Sequence, residues 1–419
     1  TWYSLIPVPL LAVLMYKLSK EVNTRSFAYQ QNLSKLSSFS QEIFSGIRVI
    51  KAYTLEKKQS DAYDEATTES KTKFMRLAFT NALIGPLMVL LIGISNILIV
   101  YIGAQMYING VITEIGIIAQ FILYINMLTW PIASLGWVST MIQEAESSQK
   151  RINEFLNEAP SIQSNNEEIK VLNGKIEFNE VHFIYEDTKI HALNNISFTI
   201  NKGETVAFLG KTGSGKSTIL QLISRMYDVS SGTILIDDVN IKDWNVQNLR
   251  DQIAVVPQDA FLFSDTIKNN IRFGKEDASQ EEIEHFAKIA DVHKNIIRFD
   301  KGYETILGER GITLSGGQKQ RVSIARALIK DAPALLLDDC LSAVDTETEE
   351  QILNNLKDIA DKKTTIIVTH RVSSAKNADK IIVLSEGTIL EQGSHNQLIN
   401  ENGYYANLYK KQLSEKDVK

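Results

Sequence analysis

The chain runs to 419 residues, room for two or three domains, and is 44% hydrophobic and 22% charged. Its formal net charge of −6 offers no basic face for nucleic acid. The one cysteine, Cys340, excludes an internal disulfide framework, carries no metal-site spacing and is expected to pack.

The chain opens on Thr1 inside an apolar segment that lacks the marks of a signal peptide, so further sequence is expected to precede it. Three segments are apolar enough for membrane helices, which take about 20 residues each. Residues 2–16 read as a span cut near its start. The second lies within 77–113 and the third within 115–143, both free of Asp, Glu, Lys and Arg. Asn109 and Gly110 mark the turn between them, and Pro131 is an expected kink. The basic residues of this region, from Lys17 and Lys20 to Lys73 and Arg76, fall between the first and second spans, which places that loop and everything after the third span in the cytosol. Residues 17–76 read as two helices that leave the membrane and meet near 52–56. A polar helix then runs to about 158, completing a domain over 1–158. Residues 159–173, with Pro160, read as a linker, 174–412 as a second domain and 413–419 as a polar tail.

In the second domain, short β-rich runs alternate with helical stretches. Residues 206–209, 254–257, 335–337 and 365–369 are the strand candidates of an α/β core, and runs such as Leu335-Leu336-Leu337 suit strands buried on both faces. In such folds the chemistry collects at the carboxyl ends of the strands. Gly210-Lys211-Thr212-Gly213-Ser214-Gly215-Lys216-Ser217 matches G-x-x-x-x-G-K-[ST] between an apolar run and a helical stretch that begins at Thr218, the context a P-loop requires. A bare glycine-rich turn is the alternative, and this context weighs against it. The amides around residues 213–217 are expected to wrap the phosphates, because glycines let the backbone approach closely. Lys216 would neutralise the β- and γ-phosphates. Ser217 would ligate Mg²⁺, and Asp338 would hold the same ion through its water shell. Lys211 reads as a solvated charge.

Leu314-Ser315-Gly316-Gly317-Gln318 reads as a loop entering a helix, with Ser315 as N-cap and Gln318 completing a capping box. A helix start of this kind is an anion site. On a monomer it is an ordinary capped helix, but in this order after a P-loop it points to a triphosphate held between two copies of the domain.

Taken together, these motifs resemble the ATP-binding cassette (ABC) transporters, specifically exporters with fused membrane and nucleotide domains, along essentially the whole chain. The resemblance implies a membrane α-helical bundle, the last three of six transmembrane helices, followed by an α/β P-loop NTPase (ABC cassette) domain. It implies ATP and Mg²⁺ as ligands. Tyr185 corresponds to the aromatic that stacks on adenine, and Gly210, Gly213, Ser214, Gly215, Lys216, Ser217 and Thr218 to the nucleotide cradle. Gln258 corresponds to the Q-loop residue that senses Mg²⁺ and faces the membrane domain. Gly308-Glu309-Arg310-Gly311 resembles the X-loop, Ser342-Ala343-Val344-Asp345 the D-loop, and His370 the switch histidine near the γ-phosphate. Ser315, Gly316, Gly317 and Gln318 would close over ATP held by a second subunit, and the 52–56 region would hold a coupling helix. His182, His191, His285, His293 and His395 match no motif.

One position departs from the pattern. The family's catalytic glutamate directly follows the Walker B aspartate, and here Asp339 stands in its place. Its side chain is shorter by roughly 1.5 Å, and a misplacement of about 1 Å can cost on the order of 10²-fold in rate. This cleft is therefore expected to bind ATP and to hydrolyse it slowly, with Asp339, Gln258 and His370 as its catalytic set. The Ser315 to Gln318 segment is intact, and the combination of the two resembles the degenerate-site half of heterodimeric exporters. The implied partner is a second half-transporter with a Walker B glutamate. A homodimer with two weak sites and a non-transporting regulatory subunit are the alternatives. The implied setting is a bacterial inner or plasma membrane, and the implied cargo an amphipathic drug or lipid. The polar span residues Asn96, Gln105, Gln120, Asn126 and Gln143 suit either a cargo cavity or interhelical hydrogen bonds.

Overall fold

Residues 7–164, 166–360 and 363–417 are described by the computed structural model, and the chain divides into a helical unit, Thr1–Ala159, and an α/β unit, Pro160–Lys419. The start of the first expected span, residues 2–6, lies outside the described residues.

The helical unit comprises α1 (Pro7–Ser45), α2 (Ile47–Ala52), α3 (Glu56–Ala82), α4 (Ile84–Ile108) and α5 (Gly116–Leu156). Helices α1 and α3 form an antiparallel hairpin. Tyr29 packs on Phe74 with ring centroids 5.4 Å apart, and farther along Phe39 stacks on Tyr63 at 6.1 Å. Toward the apolar end the Arg25 guanidinium donates to Thr80 Oγ1 at 2.7 Å and to the Arg76 carbonyl at 3.1 Å. Beyond it Met15 and Leu91 are buried with Leu14, Ile84, Leu87 and Met88 around them. At the other end the chain reverses through the short α2 and a turn at residues 53–55, where Thr54 takes φ 55°. The two helices thus meet in the segment where the sequence places the junction.

Only Leu83 interrupts α3 and α4, and the joined helix Glu56–Ile108 holds an apolar window of mean hydropathy 2.5, long enough to cross a bilayer. One face of it is turned outward, with Val89 and Ile97 71% and 69% exposed, as a lipid-facing surface requires, while Leu91 and Ile99 are buried. Gly116–Leu128, at the start of α5, is a shorter apolar helix. Pro131 sits inside α5, where its ring nitrogen has no hydrogen to give the carbonyl four residues earlier.

In the α/β unit, the described residues of 160–175 form neither helix nor strand, yet the second half of this stretch is bonded onto the domain that follows. The Lys170 and Leu172 amides donate to the side chains of Asn248 (3.0 Å) and Gln252 (2.8 Å), and the amides of Asn173, Gly174 and Lys175 all donate to the Asp237 carboxylate.

From there the order is β1 (Ile176–Ile184), β2 (His191–Ile200), β3 (Thr205–Gly210), α6 (Lys216–Ile223), β4 (Ser231–Ile236), β5 (Val239–Asn240), α7 (Val246–Asp251) and β6 (Ile253–Val256). Helices α8 (Ile267–Arg272), α9 (Gln280–Ile289), α10 (His293–Ile296) and α11 (Gly316–Leu328) follow. The chain closes with β7 (Ala334–Asp338), α12 (Thr346–Ala360), β8 (Thr364–Thr369), α13 (Val372–Ala375), β9 (Lys380–Ser385), β10 (Thr388–Gly393), α14 (His395–Asn400) and α15 (Tyr404–Asp417).

Two sheets result. The larger has the order β10-β9-β3-β8-β7-β6, parallel from β9 to β6 and antiparallel at the β10 edge. The smaller, β2-β1-β4-β5, is antiparallel. All four strands expected from the sequence lie in the parallel sheet, and β3 and β7 are buried almost throughout, as continuous apolar runs require. Phe178, Ile196, Phe208, Ile219, Leu222 and Trp244 fill the core between the two sheets and α6. A second core joins β6 and β7 to α8, α9 and α11, and a third joins β3 and β9 to α13, α14 and α15. Helix α15 continues through residues 413–417, which read as a polar tail in the sequence; the buried Tyr405 and Ala406 anchor its first turn.

Candidate functional site

Strand β3 ends at Gly210, and the loop that follows turns sharply into α6. Gly215, at φ +94°, precedes the helix, and a Cβ there would stand 2.5 Å from the Ala192 carbonyl oxygen and 2.7 Å from Leu193 Cδ2. Only glycine fits. No side chain caps α6, so its first N–H groups remain open to an anion.

Lys216 begins this helix and is 5% exposed. Its ammonium donates to the carbonyls of Gly210 (2.9 Å) and Lys211 (2.8 Å) and lies 3.5 Å from Ser214 Oγ. Burial pushes its pKa down to about 8, with Asp339 and Asp338 pulling the other way. A buried cation in this position is stabilised by any phosphate that joins it.

The neighbouring Ser217 hydroxyl donates to Asp338 Oδ1 at 2.9 Å. Asp338 closes β7, with Val368 of β8 opposite it, and the Asp339 amide donates to the Val368 carbonyl at 2.8 Å. Burial holds both carboxyls above the usual carboxylate range; the Ser217 hydrogen bond opposes the shift at Asp338, and His370 and Lys216 oppose it at Asp339. Asp339 takes the left-handed backbone conformation, φ 42°, which aspartate tolerates better than most residues. These oxygens suit a hard divalent cation. Among the described residues no group of three or more His, Cys, Asp or Glu gathers, so such an ion would share its coordination with phosphate and water.

A cleft of about 250 Å³ unites these groups. Its lining includes Tyr185, Gly213, Gly215, Lys216, Ser217, Thr218, Gln258, Asp338, Asp339 and His370. Ser214 lies buried beneath the loop. The sequence gives no hint of what fixes Tyr185: its hydroxyl shares a 3.0 Å hydrogen bond with Thr218 Oγ1 and donates to Gln221 Oε1 at 2.8 Å, while its ring meets the edges of Phe183 and Tyr227.

Ser315, Gly316, Gly317 and Gln318 do not line this cleft. They open α11, where the capping box forms: Ser315 N donates to Gln318 Oε1 at 3.0 Å and Gln318 N to Ser315 Oγ at 3.3 Å. Ser315 and Gly316 are exposed, available to a second molecule. Behind them a Cβ on Gly317 would come within 2.9 Å of the Ala343 carbonyl oxygen. Gln320, buried one turn later, lies 3.3 Å from Ser342 Oγ through Nε2 and accepts from Ala343 N at 3.1 Å. The helix start and the segment 342–345 are thus in direct contact. Glu309–Gly311 form a short 3₁₀ turn that the extended Gly308 precedes; the Arg310 side chain lies outside the described residues. Of the histidines without a motif, His293 and His395 are hydrogen-bonded to Tyr303 and Tyr405.

Comparison with known proteins matches both parts of the chain. The ABC transporter family model aligns with residues 193–342, and that of the ABC transporter transmembrane region with residues 1–132. The multidrug resistance-like ATP-binding protein MdlA of Buchnera aphidicola subsp. Schizaphis graminum is 40% identical over 100% of this chain and 72% of its own length. The Escherichia coli MdlA is 39% identical over 99% of this chain and 70% of its own length. An ATP-dependent lipid A-core flippase of Syntrophus aciditrophicus is 36% identical over 99% of the chain and 69% of its own length. Among solved structures, a bacterial Atm1-family ABC exporter with ATP bound superposes with a TM-score of 0.87 at 30% identity, over 97% of this chain and 72% of that one.

Proposed function

This chain belongs to the ABC transporter family, joining a helical transmembrane region to an ATP-binding cassette, and on that premise we propose that it is the slow-site half of a heterodimeric exporter of amphipathic drugs or lipids. The observation that carries the reading is the pairing of Asp339 with an intact, exposed Ser315 to Gln318 segment on one chain. The first shortens the reach of the base in the chain's own cleft, and the second remains fit to complete a cleft on a partner.

In this reading ATP lies along the cleft, with adenine against Tyr185 and phosphates over the amides of residues 213–217. Lys216 exchanges loop carbonyls for phosphate oxygens and regains the anionic partner its burial lacks. Ser217 and Asp338 would hold Mg²⁺, which when bound would screen the phosphate charge. Gln258 and His370, which line the cleft with the two carboxylates, orient the attacking water and the γ-phosphate, and Asp339 accepts the water's proton. ATP bound across two chains draws the cassettes together and opens the membrane region outward; hydrolysis and phosphate release reset it. The absence of charge from residues 77–113 and 115–143 supports an amphipathic cargo over an ionic one. So do the multidrug and lipid names of the relatives. The setting proposed is a bacterial inner membrane, with the cassette in the cytosol.

His370 keeps a homodimeric reading in play, since the switch histidine still lines the cleft. The test is to purify the protein from its own membranes and identify every stoichiometric polypeptide by mass. A second half-transporter with glutamate after its Walker B aspartate is the expected result; a single species would overturn the heterodimer. Export that persists undiminished with Lys216→Ala would instead point to a regulatory subunit.

A further inference from the structure

His370 and Val372 are held from outside the adjoining strand and helix. Gln412, on α15, donates from Nε2 to the His370 carbonyl at 3.0 Å and accepts from the Val372 amide at Oε1 at 2.8 Å. Between these contacts the Arg371 amide donates to Thr369 Oγ1 at 3.0 Å. Three consecutive residues at the end of β8 are therefore fixed by side-chain hydrogen bonds, two of them made by one glutamine 42 and 40 positions away.

On its far side the same segment grips the turn after Asp339. The Arg371 guanidinium donates to the Ser342 carbonyl at 3.1 Å and pairs with the Glu349 carboxylate, which Ser374 also approaches. Glu349 is 1% exposed, so this pair leaves little slack. Gln412 thus completes a frame with α15 on one side of His370 and the 342–349 segment on the other. An amide that grips a carbonyl and an N–H two residues apart resists rotation of the peptides between them, and those rotations are what would swing the imidazole in the cleft.

We propose that Gln412 is a positioning residue for His370, so that the last helix of the chain is part of the machinery of ATP turnover. The proposal rests on the reading of His370 as the group that orients the γ-phosphate. Gln412 does not line the cleft, and its loss is expected to act on turnover rather than on nucleotide affinity.

The test uses the assembled transporter in single-turnover ATP hydrolysis with transporter in excess, where the slow cleft appears as the slowest phase. Gln412→Met preserves length and helix propensity while removing both hydrogen bonds. It is expected to slow that phase by about five- to tenfold, with the half-saturating transporter concentration unchanged within about twofold. Gln412→Glu keeps the acceptor for Val372 and is expected to fall between Met and wild type. Combined with His370→Ala, either variant should add nothing further, a non-additivity that general destabilisation would not produce. An unchanged rate in Gln412→Met, or a full multiplicative loss in the double variant, overturns the proposal. Failure of His370→Ala itself to slow hydrolysis would overturn the role assigned to His370 and this proposal with it. Should Gln412→Met fail to assemble, Gln412→Glu alone decides by the same rate and additivity.

Discussion

The Ser217 hydroxyl reaches the Asp338 carboxylate at 2.9 Å, joining the first turn of α6 to the end of β7 across 121 positions of sequence. This pair brings together the two elements that the proposed Mg²⁺ would span. Ser217→Ala is expected to weaken Mg-ATP binding about tenfold, or ~1.4 kcal/mol, while ATP binding in the presence of a chelator stays level. Nucleotide titration with and without Mg²⁺ checks this; equal losses in both would show a packing role.

Asp338 also gives a pH dependence. Burial raises its carboxyl above the ordinary value of 3.8, so the folded protein holds this proton to a higher pH than the unfolded chain does. The native state therefore binds more protons between the two values, and the cost of the buried charge at neutral pH is relieved as pH falls through the folded value. A protonated Asp338 cannot hold a cation. Mg²⁺-dependent ATP binding should weaken as pH is lowered from 7, ahead of Mg²⁺-independent binding, and Asp338→Asn should abolish the difference. Titrations at a series of pH values read it.

Asp339→Glu is expected to raise ATP turnover in this cleft by about tenfold or more, because the longer side chain restores the reach of the base. The slowest phase of single-turnover hydrolysis is the measurement. No acceleration would mean that the left-handed backbone at residue 339, rather than side-chain length, limits the site.

Two P-loop glycines should respond differently to alanine. At Gly215 a methyl would meet the Ala192 carbonyl backbone, and a loss above ~2 kcal/mol is expected. At Gly213 nothing lies within 4 Å, and φ +81° alone should cost ~1–2 kcal/mol. Thermal unfolding with and without ATP ranks the two.

Ser315→Ala removes the N-cap of α11, worth ~1 kcal/mol of stability. ATP affinity in this chain's own cleft should not change, whereas steady-state turnover of the assembled transporter should fall. Reduced nucleotide binding to this chain would contradict the assignment of Ser315 to a partner's cleft.

Much of the architecture is legible along the chain because its signals are local. Four buried strands announce themselves as unbroken apolar runs, and the P-loop and Ser315 capping box are written in consecutive residues. The antiparallel sheet β2-β1-β4-β5 is harder to read, since β1 and β2 mix buried and exposed positions and their pairing carries register shifts instead of forming unbroken apolar runs. The anchors of the site share that difficulty. Nothing near Tyr185 in sequence points to Gln221, and nothing near His370 points to Gln412. The helical state of residues 413–417 is equally hard to read: they are polar, and a helix already seated by Tyr405 carries them on.

The bare backbone of Gly317 against Ala343 has a consequence for timing. Without a side chain between them there is no cushion, and Gln320 bolts the two segments together one turn farther on. A shift of the turn behind Asp339 is thus passed undamped to the exposed start of α11. On the proposed reading, the face of the chain that serves its own nucleotide and the face offered to another molecule's nucleotide would move in step, like two cogs cut on one shaft.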